Sequence, residues 1–386
     1  MFDFYPFLTD TYAIVLAAAM MLAFVVLALY YGLTYLRVGR HGLKKRATGA
    51  AEATSANPPV SVVLTAHNDA AWLKENLVYL LEQDYPKFEV VVVDYLSSDD
   101  TEYVLRLLKD YYPHLKTVPF KEDVNLFQGK KYPLSIGIKS ASYDILLLAD
   151  PECTPKNLQW LRGMVRGYGS GDTKIVLGYC GLKRNKTLLG ALQQYDALSY
   201  GAHYIGNALA GHPYTGSGRN LSYRRSFFFE QGAFIRHYDV ADGSDDLFVY
   251  QNASRNNTAV CIDADAVLMS EPMKSFAEWH RRRRHRVGTR NRHSLGSRLV
   301  EELPPLSVVV FYTAAVLLIL DGSLPWVVTA LVLALKIAWQ TICFANLSKR
   351  FEGGVVYLFA PLFEIYFTLA NTILILLPLS NNRRFR

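Results

Sequence analysis

At 386 residues with 51% hydrophobic content, the chain is too long for one ordinary compact domain and argues for at least two parts. The net charge of +7 comes largely from basic residues beside long apolar segments, where anionic headgroups would attract them, so nucleic-acid binding is not expected. The four cysteines, Cys153, Cys180, Cys261 and Cys343, lack paired metal-ligand spacing, and a cytoplasmic domain would keep them reduced.

Residues 11–36 carry no formal charge, enough helix to cross roughly 30 Å of hydrocarbon. The acidic lead (Asp3, Asp10) and the length of the run oppose a cleaved signal peptide, so 1–36 is expected to be an uncleaved anchor. Arg37, Arg40, Lys44, Lys45 and Arg46 follow, which by the positive-inside bias puts the N-terminus outside and the middle of the chain in the cytoplasm. A basic juxtamembrane linker is expected over 37–57. Its "GAAEATSANPP" stretch has little periodicity and ends in two prolines.

A folded domain is expected over 58–295. "VSVVLTA" (60–66) reads as a buried strand, and the next segment places Leu73, Leu77, Leu80 and Leu81 on one helical face. "FEVVVVD" (88–94), the helical "TEYVLRLLKDYY", "DILLLAD" (144–150) and "KIVLGYC" (174–180) continue the alternation. This pattern predicts an α/β fold with a mostly parallel sheet covered on both faces, binding its ligand beyond the carboxyl ends of the strands. Those ends read "AHND", "DYLSSDD" and "DPE", so acidic groups converge on one edge.

A C-terminal membrane region is expected over 296–386, with candidate helices at 304–320, 325–346 and 355–378. Pro361, Glu364, Asn371 and Pro378 interrupt the last, which is consistent with a segment in the interface or lining a protein cavity. Four full spans would also place "NNRRFR" outside, against the bias that orients the first.

Asp150 and Glu152, two residues apart at a strand end, offer oxygen ligands of the kind Mg2+ or Mn2+ takes alongside substrate phosphate. For a lone D-x-E the bland reading, solvated loop carboxylates, is the better one, and the order of motifs decides. That order resembles the membrane-associated family 2 glycosyltransferases, whose catalytic domain has the GT-A fold, a Rossmann-like nucleotide-diphospho-sugar transferase fold. "VSVVLTAHND" resembles the nucleotide-binding strand and loop, "EVVVVDYLSSDDT" the acidic second loop, and "GKK" (129–131) the basic loop. "DPECTP" resembles the D-x-D metal motif, "TGSGRNLSYRR" (215–225) the acceptor-side loop, and "GSDDLF" (243–248) the catalytic acidic motif. "EWHRRRRHR" (278–286) falls where many members carry Q-x-x-R-W, and bacterial members with membrane helices on both sides look closest.

The resemblance implies inverting transfer of a hexosyl or N-acetylhexosaminyl group from a nucleotide-diphosphate sugar to a lipid-linked or polysaccharide acceptor of the cell envelope. It further implies contact with membrane lipids, a bacterial inner-membrane location and a cytoplasmic catalytic domain. Ala66, Asp69 and Asp94 would then lie near base and ribose, and Lys130 near base or phosphate. Asp150 and Glu152 would hold Mg2+ or Mn2+ and the diphosphate, with Arg281, Arg282 and His285 approaching the same group. Gly216, Gly218, Asn220 and Trp279 would face the acceptor. Of the two candidates for the proton acceptor, Asp246 is chosen over Asp245; Ser244 could instead cap a helix there. Tyr95 in place of a second aspartate, Glu152 in place of aspartate, and Ser244 at the base position when leucine anchors the alignment all depart from the family pattern. These departures motivate an alternative, a transferase-like membrane scaffold that binds nucleotide sugar or partners without turnover.

Overall fold

The computed structural model describes residues 5–42, 57–120, 129–240, 243–289, 292–322 and 325–376, so most of the expected linker lies outside the described residues. The chain divides into two compact units, one of 1–41 with 293–378 and one of 42–292 with 379–386.

In the first unit, helix α1 (Tyr5–Tyr31) continues through a π-helical stretch, Gly32–Leu36, into a further turn, Arg37–Arg40. The second unit opens with β1 (Val60–Ala66), α2 (Ala70–Leu81), β2 (Phe88–Tyr95), α3 (Thr101–Tyr111), β3 (Leu115–Phe120), α4 (Lys131–Ser140) and β4 (Ile145–Leu148). There follow β5 (Cys153–Pro155), α5 (Trp160–Val165), β6 (Ile175–Leu177), β7 (Tyr179–Leu182), α6 (Leu188–Leu209), β8 (Leu221–Arg224) and α7 (Arg225–Glu230). It closes with α8 (Asp246–Asn252), β9 (Thr258–Val260), β10 (Val267–Ser270) and α9 (Phe276–Gly288).

Among the described residues the main sheet has seven strands in the order β3-β2-β1-β4-β8-β6-β9. Its first four strands are parallel, and the unbroken apolar runs of β1, β2 and β4 are buried accordingly. The sheet is mixed beyond that point, because β8 runs antiparallel to both β4 and β6. "KIVLGYC" is also two strands: β6 stays in the main sheet, while β7 joins β5 and β10 in a second, three-stranded sheet. The break falls at Gly178, where a Cβ would come within 2.5 Å of the Asn220 side chain, so only glycine lets the chain pass that amide.

The first unit resumes with α10 (Leu295–Asp321), α11 (Trp326–Arg350), a 3-10 segment (Gly354–Phe359) and α12 (Ala360–Leu376). Among the described residues four helices are long and apolar enough to cross a membrane: Thr11–Arg40, Leu295–Asp321, Trp326–Arg350 and Gly354–Ile373. The second starts earlier than its apolar run suggests and passes through Pro304 and Pro305, which a membrane helix tolerates when neighbours satisfy the freed carbonyls. Glu364, which interrupts the last span in sequence, is buried. It bonds to the ammonium of Lys336 on α11 and accepts from the hydroxyl of Tyr31 on α1. The same ammonium donates to Gln340 Oε1 at 2.8 Å and lies 3.1 Å from the Tyr312 hydroxyl of α10. Each of the four helices thus supplies a polar group to one internal cluster, as ionisable residues in apolar helices require. The terminal "NNRRFR" lies outside the described residues.

Candidate active site

The parallel register sets Ala66 beside Asp94, so β1 and β2 end together. Beyond them the two loops are laced to each other. The Asn68 N–H donates to Ser97 Oγ at 3.0 Å, and Asn68 Oδ1 accepts from the Ser98 N–H at 2.8 Å. Asp99 accepts from the Ala70 N–H at 3.1 Å, satisfying the first turn of α2 from another loop. Asp99 is therefore occupied structurally. Asp94 is different: it is only 7% exposed and its Oδ1 has no hydrogen-bond partner among the described residues, an arrangement that buried polar groups avoid unless a water, an ion or a ligand completes it. Asp69 accepts from the His67 N–H at 2.9 Å; burial holds its carboxyl above the usual range despite that bond. Tyr95, which departs from the family pattern, is a buried residue stacked on Phe120 at 5.5 Å between centroids.

Past β4, Asp150 Oδ1 accepts from Lys130 Nζ at 2.9 Å and Oδ2 lies 3.7 Å from Arg219 Nε. Glu152 Oε1 lies 2.8 Å from Arg219 Nη2, and Arg282 faces the same carboxylate with both terminal nitrogens, Nη2 lying 2.6 Å from Oε2. Burial opposes the charge on both acids, but the cations prevail. Lys130 and Arg219 hold Asp150 below the usual carboxylate range, while Arg219 and Arg282 bring Glu152 down to about 2. Arg219 stands inside "TGSGRN" without having been singled out from the sequence.

Its neighbour Gly218 donates its N–H to Asp245 Oδ2 at 2.7 Å. Two consecutive residues thus connect the Asp150–Glu152 pair to the Asp245–Asp246 pair. Asp246 starts α8, accepts from the Leu247 N–H at 2.8 Å, and is bonded by the hydroxyl of Thr289 at the end of α9. Helix α9 is itself fixed by Asp196 of α6, which accepts from Arg286 at 2.5 Å and from the Trp279 indole N–H at 3.2 Å.

Several expected contacts are corrected by this geometry. Asn220 is 1% exposed, and its amide donates to the carbonyls of Tyr179 and Ala266 and accepts from the Trp160 indole. It is a buried connector between sheets, with both amide N–H groups used internally and no face open to an acceptor sugar. Trp279, 3% exposed, packs against Arg283 at 5.3 Å and presents no open stacking face. Gly216 is buried against Leu177 and Val249. Arg281 is exposed, and of the two α9 arginines it is Arg282 that joins Arg219 at Glu152. The His285 side chain lies outside the described residues.

A divalent cation fits the donor chemistry here in part. Asp150 keeps 22% of its side chain exposed, with Oδ2 only loosely paired, whereas Glu152 could join a metal shell only by exchanging an arginine. Among the described residues no three His, Cys, Asp or Glu converge, so the cation would rest on one or two carboxylates and phosphate oxygens, a usual mode for Mg2+.

The sheet order and the acidic strand ends define a GT-A domain. Residues 61–232 match the family model described as glycosyl transferase family 2. The chain is 35% identical over 121 residues to glycosyltransferase AglE of Haloferax volcanii, a match covering 31% of this chain and 38% of that protein. It is 29% identical over 94 residues to poly-beta-1,6-N-acetyl-D-glucosamine synthase of Staphylococcus epidermidis, covering 24% of this chain and 21% of that one. The matches thus span well under half the length of these relatives. The fold is similar to that of the mannosyltransferase PcManGT of Pyrobaculum calidifontis, solved with GDP-Man and Mn2+. The TM-score is 0.58 at 20% identity, covering 95% of this chain and 98% of that one.

Proposed function

We propose that the protein transfers a hexosyl or N-acetylhexosaminyl group from a nucleotide-diphosphate sugar to a lipid-linked or polysaccharide acceptor at a membrane, inverting the anomeric centre. The observation that carries this reading is the Gly218–Arg219 bridge, which joins the basic cluster on Asp150 and Glu152 to the Asp245–Asp246 pair. The donor named for the Pyrobaculum enzyme and the polymer named for the Staphylococcus synthase are consistent with this class of sugar.

In this reading Asp94 and Asp69 take the nucleoside, and Lys130, Arg219 and Arg282 take the diphosphate, two of them by fork-like guanidinium contacts. Asp246 accepts the proton of the acceptor hydroxyl as its oxygen bonds to the anomeric carbon and the bond to the diphosphate oxygen breaks. Asp245 holds the 216–218 loop through the Gly218 N–H. A divalent cation, Mg2+ or Mn2+, would rest on Asp150, with Glu152 beside it, and would supply charge neutralisation for the departing diphosphate. The basic residues after the first span favour a cytoplasmic catalytic domain.

The test is a panel of nucleotide sugars presented to membranes containing the protein, with and without Mg2+ or Mn2+, scored by nucleoside diphosphate release and by acceptor product. Release from one donor, lost in Glu152→Ala, is the expected result. Nucleotide binding without transfer from any donor would instead support the non-catalytic scaffold.

A further inference from the structure

Lys130 and Lys131 are consecutive residues at the start of α4, and they go in different directions. Lys130 reaches Asp150 at 2.9 Å. Lys131 is 1% exposed, and its ammonium donates to the carbonyls of His237 at 2.5 Å and Val240 at 2.7 Å. Those carbonyls belong to one tight turn, closed by the Val240 N–H donating to His237 O at 3.2 Å. The turn leads into the Gly243–Asp246 stretch and is tied to α8 a second time, because His237 Nδ1 donates to Gln251 Oε1 at 3.0 Å. Asp246 is the first residue of that same helix. Helix α4 is seated firmly enough to act as a reference: Gly137 lets it lie against β1 and β2, where a Cβ would come within 2.7 Å of Val63.

We propose that Lys131 is a positioning residue that sets Asp245 and Asp246 relative to the Asp150 site and couples occupancy of that site to the placement of the acidic pair. The inference rests on the transferase reading given above. A buried ammonium holding two carbonyls of one turn fixes that turn in direction as well as distance, since bonds to a charged donor are the strong ones. A diphosphate drawn to Lys130 steadies the first turn of α4, and the adjacent Lys131 carries that restraint to 237–240 and on through Gln251 to α8. The competing explanation is a lysine that merely fills a buried site, in which case ligand at Lys130 leaves α8 unaffected.

Hydrogen exchange on the full chain in detergent micelles, with and without UDP, GDP, CDP or ADP plus Mg2+, separates the two. The expected result is that a nucleoside diphosphate that binds slows exchange in peptides covering 237–252, and that Lys131→Met abolishes this slowing while the nucleotide still binds. In turnover, Lys131→Met should lower kcat by about 10²-fold with the donor KM unchanged. Binding without slowing in the wild-type protein overturns the coupling alone, and needs no variant to fold. Slowing that persists in Lys131→Met overturns the role of Lys131. Failure of every nucleotide to bind overturns the transferase reading and the coupling with it.

Discussion

Arg219 Nη2 lies 2.8 Å from Glu152 Oε1, so the carboxylate that stands where the resembled family's motif has a second aspartate is neutralised from within the glycine-rich 215–220 stretch. The longer glutamate arm reaches an arginine that an aspartate would meet less closely. Arg219→Ala should therefore have two effects together: it leaves Glu152 with Arg282 and removes a cation from the proposed diphosphate site. The expected stability cost is about 1.5–3 kcal/mol, read from denaturation of the whole protein, accompanied by weaker nucleoside diphosphate binding. An unchanged affinity would remove Arg219 from the donor site.

The two acids at the start of α8 should separate cleanly. Asp246→Asn is expected to cut transfer by roughly 10²–10⁴-fold while leaving nucleotide binding intact. Asp245→Asn retains a carbonyl oxygen for the Gly218 N–H and should cost much less. Steady-state rates on both variants check this, and the reverse order would move the base to Asp245.

Acid should weaken the globular unit through His237. Burial, followed by the charge of Lys131, brings its imidazole down from 6.5 to about 4, with the Gln251 contact acting in the other direction. A depressed folded-state value means that the unfolded chain binds the proton first. The full stability is present above pH 6.5 and falls progressively as the pH drops toward 4. Melting temperatures taken between pH 7 and about 5, above the ordinary carboxylate range, should fall with pH, and His237→Asn should flatten that slope. Glu152 contributes in the same direction but over a lower window, between its ordinary 4.5 and about 2.

The helical unit offers a test that needs no substrate. Lys336→Met leaves the buried Glu364 carboxylate without its cation and should cost roughly 3–5 kcal/mol, seen as a lower melting temperature in detergent. Lys336→Met combined with Glu364→Leu removes both charges and should recover much of that loss. If the double variant were no more stable than the single, the pairing between α11 and α12 would carry no weight in the bundle.

Local pattern was enough to read β1, α2, β2, α3 and β4, because burial on both faces writes an unbroken apolar run and a covering helix writes one apolar stripe, whereas β3 and α4 went unread between them. It also marked four apolar segments and the order of acidic strand ends, and from that order the resemblance to family 2 glycosyltransferases. Where chain direction and partner choice mattered, pattern was silent. The reversal of β8, the division of "KIVLGYC" at Gly178, and the employment of Asn220 between sheets depend on what lies across the fold, not along the chain. The same holds for charge. Sequence counts Glu364 as an interruption of an apolar helix and leaves Lys336 and Arg219 unremarked, because an ionic contact depends on separation in space. Only the tertiary structure brings Arg219 to Glu152, Lys131 to the 237–240 turn, and Lys336 to Glu364.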